Sequence, residues 1–325
     1  MSRVVVTGGT GFVGANLVRR LIEDGHEPAL LVRPGYASWR IDSVRDRITV
    51  HEVNLADAQA VATALLAIRP TWVFHLAAHG AYSWENDVAQ MNQTNVVGTA
   101  SLLEAASRAG VEAFVHAGSS SEYGRLGHAP AETESGQPDT PYGVTKAAAT
   151  ALCVAAARVY ATRIRTLRLY SVYGPYEDPR RFLPSLIVHG LRGVFPPLVS
   201  AKTARDFVHV DDVVDAVLLA ARDTAGEPGA IYNIGTGVQV SIGDAVETAR
   251  RVMGLSGEPV WDTMPARVWD TDTWVADTRK SRDVLKWSAR SSFEVGLRQM
   301  IAWLRKSDPA IRQRYEAAWP NVRVQ

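Results

Sequence analysis

One cysteine, Cys153, is all that 325 residues contain, so no disulfide can form within the chain, which fits a reducing compartment. Lysine is nearly as scarce, five against 30 arginines, which gives weight to any lysine beside a reactive group. No apolar run approaches the roughly 20 residues that a membrane-spanning helix needs. Excess charge is missing too. Lys+Arg 35 against Asp+Glu 34 leaves +1, which gives no general electrostatic grip on nucleic acid or on an acidic membrane. There is no internal repeat and no low-complexity tract. "MSRVVVTGG" runs straight into a strand and a glycine turn without a cleavable leader, so the cytoplasm is the expected location. No metal site is expected.

What is present is an alternation of strands and helices. "RVVVTG", "PALLVR", "ITVHEV", "WVFHLAA", "AFVHAGS" and "RIRTLRLYSV" read as buried strands rich in Val, Ile, Leu and Phe. Between them "GANLVRRLIEDG", "AQAVATALLAIR", "NVVGTASLLEAASRAG" and "GVTKAAATALCVAAARVYA" carry apolar residues at helical spacing. That alternation predicts an α/β, Rossmann-type doubly wound parallel sheet over residues 1–170. After it the rhythm fails. Prolines 175, 179, 184, 196 and 197 break the chain into loops around one helix. Residues 171–290 are expected to form a smaller mixed α/β substrate domain that lends elements around 206–237 back to the sheet. Helices and a tail of unassigned role fill 291–325.

Three motifs carry chemistry. "VVVTGGTGFVGANLV" places Gly8, Gly11 and Gly14 between the first strand and the first helix. Gly8 permits a tight turn, Gly11 lets the backbone approach a pyrophosphate, and Gly14 lets helix and strand pack closely. The second strand ends in Arg33, where an acid would accept hydrogen bonds from the ribose of NAD. An arginine there suits the ribose phosphate of NADP, or stacks on adenine and leaves NAD acceptable. "TPYGVTKAAAT" sets Tyr142 and Lys146 four apart, on one helix face. A free phenol titrates near about 10. A nearby ammonium and an oxidised nicotinamide would bring Tyr142 into working range as a base. The plainer reading of the pair is a solvated helix face. "HAGSSSEYG" supplies Ser119, a hydroxyl after a buried strand, placed to hydrogen-bond a substrate oxygen and guide the proton to Tyr142.

Together with "FHLAA" (Leu76, Ala77, Ala78), "TNVVGT" (from Asn95), "SVYGP", "RDFVHVDDV" and "YNIGTG", these motifs run in one order from residue 7 to about residue 280. The chain resembles the extended short-chain dehydrogenases/reductases of the nucleotide-sugar epimerase, dehydratase and reductase group. The resemblance implies NAD or NADP in the sheet domain, a nucleotide-diphosphate sugar in the C-terminal domain, and hydride chemistry on the sugar. It implies Ser119, Tyr142 and Lys146 as the catalytic trio, Gly8, Gly11, Phe12, Val13 and Gly14 as the pyrophosphate loop, and Leu76, Ala77, Ala78, Asn95, Tyr142 and Lys146 as further cofactor contacts, with Lys146 holding the nicotinamide ribose. Asn54 and Leu55 match the adenine-contacting pair, with Asn54 where the family usually has Asp. Arg205 and Arg267 match residues that clamp the diphosphate; two surface salt bridges are the alternative. Relatives pair two helices per subunit, here "NVVGTASLLEAASRAG" and "GVTKAAATALCVAAARVYA", so a homodimer is expected.

Departures narrow the reaction. Dehydratases of the group carry acids where this chain has Ser120 and Ser121, and Glu122 is one residue out of register, which disfavours dehydration. Arg33 favours NADP(H) over NAD(H), and with it reduction of a 4-keto sugar nucleotide. The alternative is a 4-epimerase with tightly bound NAD. A dinucleotide-binding regulator without turnover is the reading outside the enzymes. Ser171 stands where the family commonly has Asn, so the loop "SVYGPYEDPRRFLP" is expected to set sugar specificity, with His79, Tyr82, Ser83 and Ser120 near the sugar.

Overall fold

A computed structural model describes residues 2–264 and 270–320. Seven parallel strands form the central sheet: β1 (Arg3–Thr7), β2 (Glu27–Val32), β3 (Thr49–Glu52), β4 (Trp72–His75), β5 (Ala113–Ser119), β6 (Arg163–Leu169) and, far along the chain, Ile231–Ile234. Four short strands lie outside it. β7 (Ser171–Tyr173) pairs with β9 (Phe207–His209), and β8 (Ala204–Arg205) with β11 (Val240–Ser241); the late sheet strand is therefore β10. The sheet order β10-β6-β5-β4-β1-β2-β3 reverses at β1, so chain crossovers leave in both directions from the β1–β4 boundary.

Helices sheathe both faces because the strands are apolar on both. In β1, Val4 and Val6 enter one core with α1 (Phe12–Glu23) and α7 (Val210–Arg222). Val5 enters the other, with α2 (Ala58–Ile68), α4 (Gly98–Arg108) and α5 (Pro141–Ala156). A short α3 (Val88–Met91) and one π-helical stretch (Asn92–Val97) lead into α4. A third core joins α6 (Phe182–Gly190), α8 (Ile242–Met253) and α10 (Phe293–Lys306), with α11 (Pro309–Ala317) against α6 and α10; the short α9 (Arg279–Asp283) packs on β10.

Two expectations need correcting. "RIRTLRLYSV" is not one strand: the chain leaves the sheet at Tyr170, and Ser171–Tyr173 pairs with β9 in a separate ribbon. Within "ITVHEV" the strand is Thr49–Glu52, an edge strand whose residues are exposed or half-buried because only β2 pairs with it, and only Val53 after it is buried.

Candidate functional site

All seven sheet strands are parallel, so their carboxyl ends share one edge, and there a cavity of about 670 Å³ opens against the later elements. Its floor is the glycine turn. Gly8 has φ +69°, and a Cβ on it would lie 2.6 Å from the Ala77 nitrogen. A Cβ on Gly14 would drive into the carbonyl oxygen of Gly8. Helix α1 begins at Gly11 with no side chain capping it and no acid in its first turn. Its first N–H groups therefore face the cavity without a side-chain competitor, and the helix dipole adds positive potential. This cradle fits a dinucleotide pyrophosphate. Gly8, Gly11, Phe12, Val13, Gly14, Leu76 and Ala78 line the cavity.

Other residues expected at the cofactor stand apart from that wall. Ala77 turns its N–H onto the Thr7 hydroxyl (3.3 Å). Arg33 is exposed just beyond β2. Asn54 accepts from Ala56 N at 3.1 Å and shapes the turn after β3, with Leu55 half-buried beside it. Asn95 is buried and works as a bracket: its amide takes both backbone groups of His79 and donates to the Thr145 hydroxyl, each at 2.9 Å. His79 is thereby held at the loop base, outside the cavity lining.

Thr140 caps α5 by accepting from Gly143 N, Pro141 occupies the first turn, and the helix starts with Tyr142 at the cavity. Ser119 ends β5. Its Oγ accepts from Ser121 N (3.1 Å), and its N–H donates to Glu122 (2.8 Å), a capping box that fixes the hydroxyl. The Ser119 hydroxyl lies close enough to the Tyr142 phenol to draw its titration downward. Burial pushes that phenol up to about 12, against the opposing pull of Ser119. In the polypeptide alone desolvation outweighs the neighbouring groups, and the lowering expected at Tyr142 includes the charge of an oxidised nicotinamide. Lys146 lies one turn below, 2% exposed, its Nζ 3.1 Å from His116 Nε2. Burial lowers Lys146 to about 8, with Glu122 opposing the fall.

Ser120 and Ser121 face the cavity, whereas Glu122 turns inward and accepts from Arg168 Nε at 2.8 Å. Ser83, Ser171 and Arg205 also line the wall; Arg205 donates to Asp270 (2.9 Å). Arg267 lies outside the described residues. Glu177, Arg180 and Arg181, in the loop "SVYGPYEDPRRFLP" expected near the sugar, are in the wall, as are Glu85 and Trp319, which the sequence did not single out. Glu85 accepts from the N–H groups of Gly80 and Tyr82 (2.9 and 3.4 Å). Arg180 covers the Trp84 ring, which stacks on Tyr82. The paired arginines in a proline-rich loop were the available signal; Trp319 offered none. Among the described residues no cluster of His, Cys, Asp or Glu could hold a metal ion, and no helix is long and apolar enough to cross a membrane.

Comparison with known proteins matches this geometry. A family described as "NAD dependent epimerase/dehydratase family" matches residues 4–235. The chain is 31% identical to a UDP-glucose 4-epimerase of Mycolicibacterium smegmatis, covering 93% of this chain and 98% of that one. It is 31% identical to a dTDP-glucose 4,6-dehydratase of Streptomyces antibioticus, covering 93% and 92%. Among solved structures it is similar to MoeE5 in complex with UDP-glucuronic acid and NAD, at 34% identity and a TM-score of 0.82 over 94% of this chain and 100% of that one. With the family pattern running from β1 through β10 and the glycine cradle, serine and tyrosine gathered at one sheet edge, the chain is an enzyme of the NAD-dependent epimerase/dehydratase family, within the extended short-chain dehydrogenases/reductases.

Proposed function

We propose that the protein is a nucleotide-sugar 4-epimerase that keeps NAD bound through turnover. The observation that carries this reading is the pair of hydroxyls, Ser120 and Ser121, facing the cavity where dehydratases of the group place acids. The one acid of that turn, Glu122, is buried against Arg168 and cannot protonate a leaving hydroxyl. Glu85 is tied to loop backbone. Oxidised NAD, when bound, supplies the hydride acceptor and a positive ring charge that favours phenolate. Gly8, Gly11 and Gly14 would hold its pyrophosphate.

The chain's own residues do the rest. Tyr142 takes the proton of the sugar 4-hydroxyl while Ser119 hydrogen-bonds the same oxygen and passes the proton across. The sugar becomes a 4-ketone, turns over within the cavity, and takes the proton back from Tyr142 as hydride returns to its other face. A substrate of this kind, a nucleotide-diphosphate hexose, would lay its diphosphate near Arg205 and its sugar between Ser119–Ser121 and the Tyr82–Trp84 loop.

The cytoplasm remains the proposed location and a homodimer through α4 and α5 the proposed assembly. Exposed Arg33 favours a second reading, a reductase consuming NADPH, although the family and MoeE5 carry NAD. Proton NMR of UDP-glucose with the holoenzyme in D2O separates the readings. Epimerisation gives the 4-epimer with every sugar C–H intact and no added reductant. A 6-deoxy-4-keto product carrying solvent deuterium, or failure to turn over any epimer pair among UDP-, dTDP- and GDP-hexoses, would overturn it.

A further inference from the structure

The buried partner of Lys146 is a residue that neither the sequence motifs nor the mechanism above employs. His116 lies on β5, three residues before Ser119, and is fully buried. An ammonium has no lone pair, so at the 3.1 Å contact Lys146 donates and His116 Nε2 accepts. The ring proton must then sit on Nδ1, which faces the Thr166 hydroxyl on β6 at 3.4 Å.

The next ring along is neutral as well. Thr99 spends its proton on the Asn95 carbonyl (2.6 Å), so its oxygen accepts from His75 Nε2 (2.9 Å), and His75 Nδ1 accepts from Thr7 (2.7 Å). His75 and His116 lie 5.6 Å apart, centroid to centroid, without opposing charge. The other groups around Lys146 are Glu122 from the turn after β5, itself paired with Arg168, and Cys153 on the same helix, its thiol pushed up to about 12 by burial.

We propose that His116 is a positioning residue: its unprotonated Nε2 anchors the Lys146 ammonium beneath Tyr142 and keeps it charged in a buried site. A burial cost that falls on the ammonium is offset by a charge-assisted hydrogen bond. The anchored cation in turn favours the Tyr142 phenolate. The inference rests on the Tyr142–Lys146 chemistry of the proposed function, and holds for epimerisation or reduction alike.

The test needs no turnover. Phenolate absorbance is titrated against pH in the NAD-loaded protein, with Tyr142→Phe in each background as the blank, so that only Tyr142 is read. His116→Gln carries an amide oxygen out to where Nε2 lies; His116→Asn stops short of Lys146, near Nδ1. The Gln variant is expected to titrate like the parent. The Asn and Phe variants are expected to shift Tyr142 upward by about one pH unit and to lower kcat at pH 7 roughly tenfold with KM little changed, the size of one hydrogen bond to a charge. Thermal melting confirms that each variant folds; if His116→Phe does not, the Gln–Asn pair decides. Identical Tyr142 titration in all folded variants would overturn the proposal, whatever reaction the enzyme performs.

Discussion

The two walls of the cavity are made differently. On the sheet side, backbone makes the site: glycines that a Cβ would block, an uncapped helix N-terminus, and hydroxyls at strand ends. On the other side, side chains from loops and the C-terminal helices make it: Arg180 on the Trp84 ring, Glu177 behind Arg181, and Trp319 anchored through Nε1 to the Pro179 carbonyl (2.9 Å). Backbone geometry suits what the family has in common, dependence on NAD. Loop side chains suit what must vary, the sugar and its base.

The sharpest way to break that contrast is to remove chemistry and leave shape. Tyr142→Phe is expected to lower kcat roughly a thousandfold while dinucleotide binding persists, the usual weight of a general acid–base group. Turnover and cofactor titration on the same sample check it. An equal loss of cofactor affinity would mean that Tyr142 belongs to the backbone-built side. Next in size is the buried pair beneath the serines. Arg168→Met strands the Glu122 carboxylate and is expected to cost about 3 kcal/mol of stability in a denaturant melt.

Smaller effects sharpen the comparison. Gly14→Ala pushes a Cβ into the Gly8 carbonyl and is expected to cost about 2 kcal/mol, with weakened NAD binding but an unchanged substrate wall. The smallest is a pH effect on the far wall. Burial pushes Glu177 up to about 7, and its Oε2 has no hydrogen-bond partner. The native state thus holds a proton that the unfolded chain releases near pH 4.5, so stability falls as pH climbs from 4.5 through about 7 and then levels off. Glu177→Gln should raise Tm relative to the parent at pH 8 and change it little at pH 5. A variant no more stable at pH 8 would show that Glu177 is comfortably ionised.

Legibility in the sequence follows the same division. Runs such as "RVVVTG" and "AFVHAGS" are strands because both faces are apolar, and β1, β5 and the glycine turn were readable from residue type alone. Ser119 and Tyr142 were readable because local caps place them. The end of β6 was not, since nothing in "RLYSVY" marks where one sheet hands over to another. The bracket that Asn95 makes around His79 was not readable, because its partners lie 16 and 50 positions away. Glu177 and Trp319 reach one cavity wall through contacts made across more than 130 residues: Tyr315 in α11 donates to the Glu177 carbonyl (2.6 Å) and Trp319 to that of Pro179. His116 sat inside a quoted strand, yet its partner Lys146 lies 30 residues away.

Retention of the cofactor tests the central claim most directly. The purified protein is denatured, the released dinucleotide identified and counted, and the stripped protein titrated with NADH and NADPH. Stoichiometric NAD, with no preference for NADPH, is the expected result. A site that comes away empty and binds NADPH far more tightly than NADH would contradict the epimerase reading and make Arg33 the residue that sets the reaction.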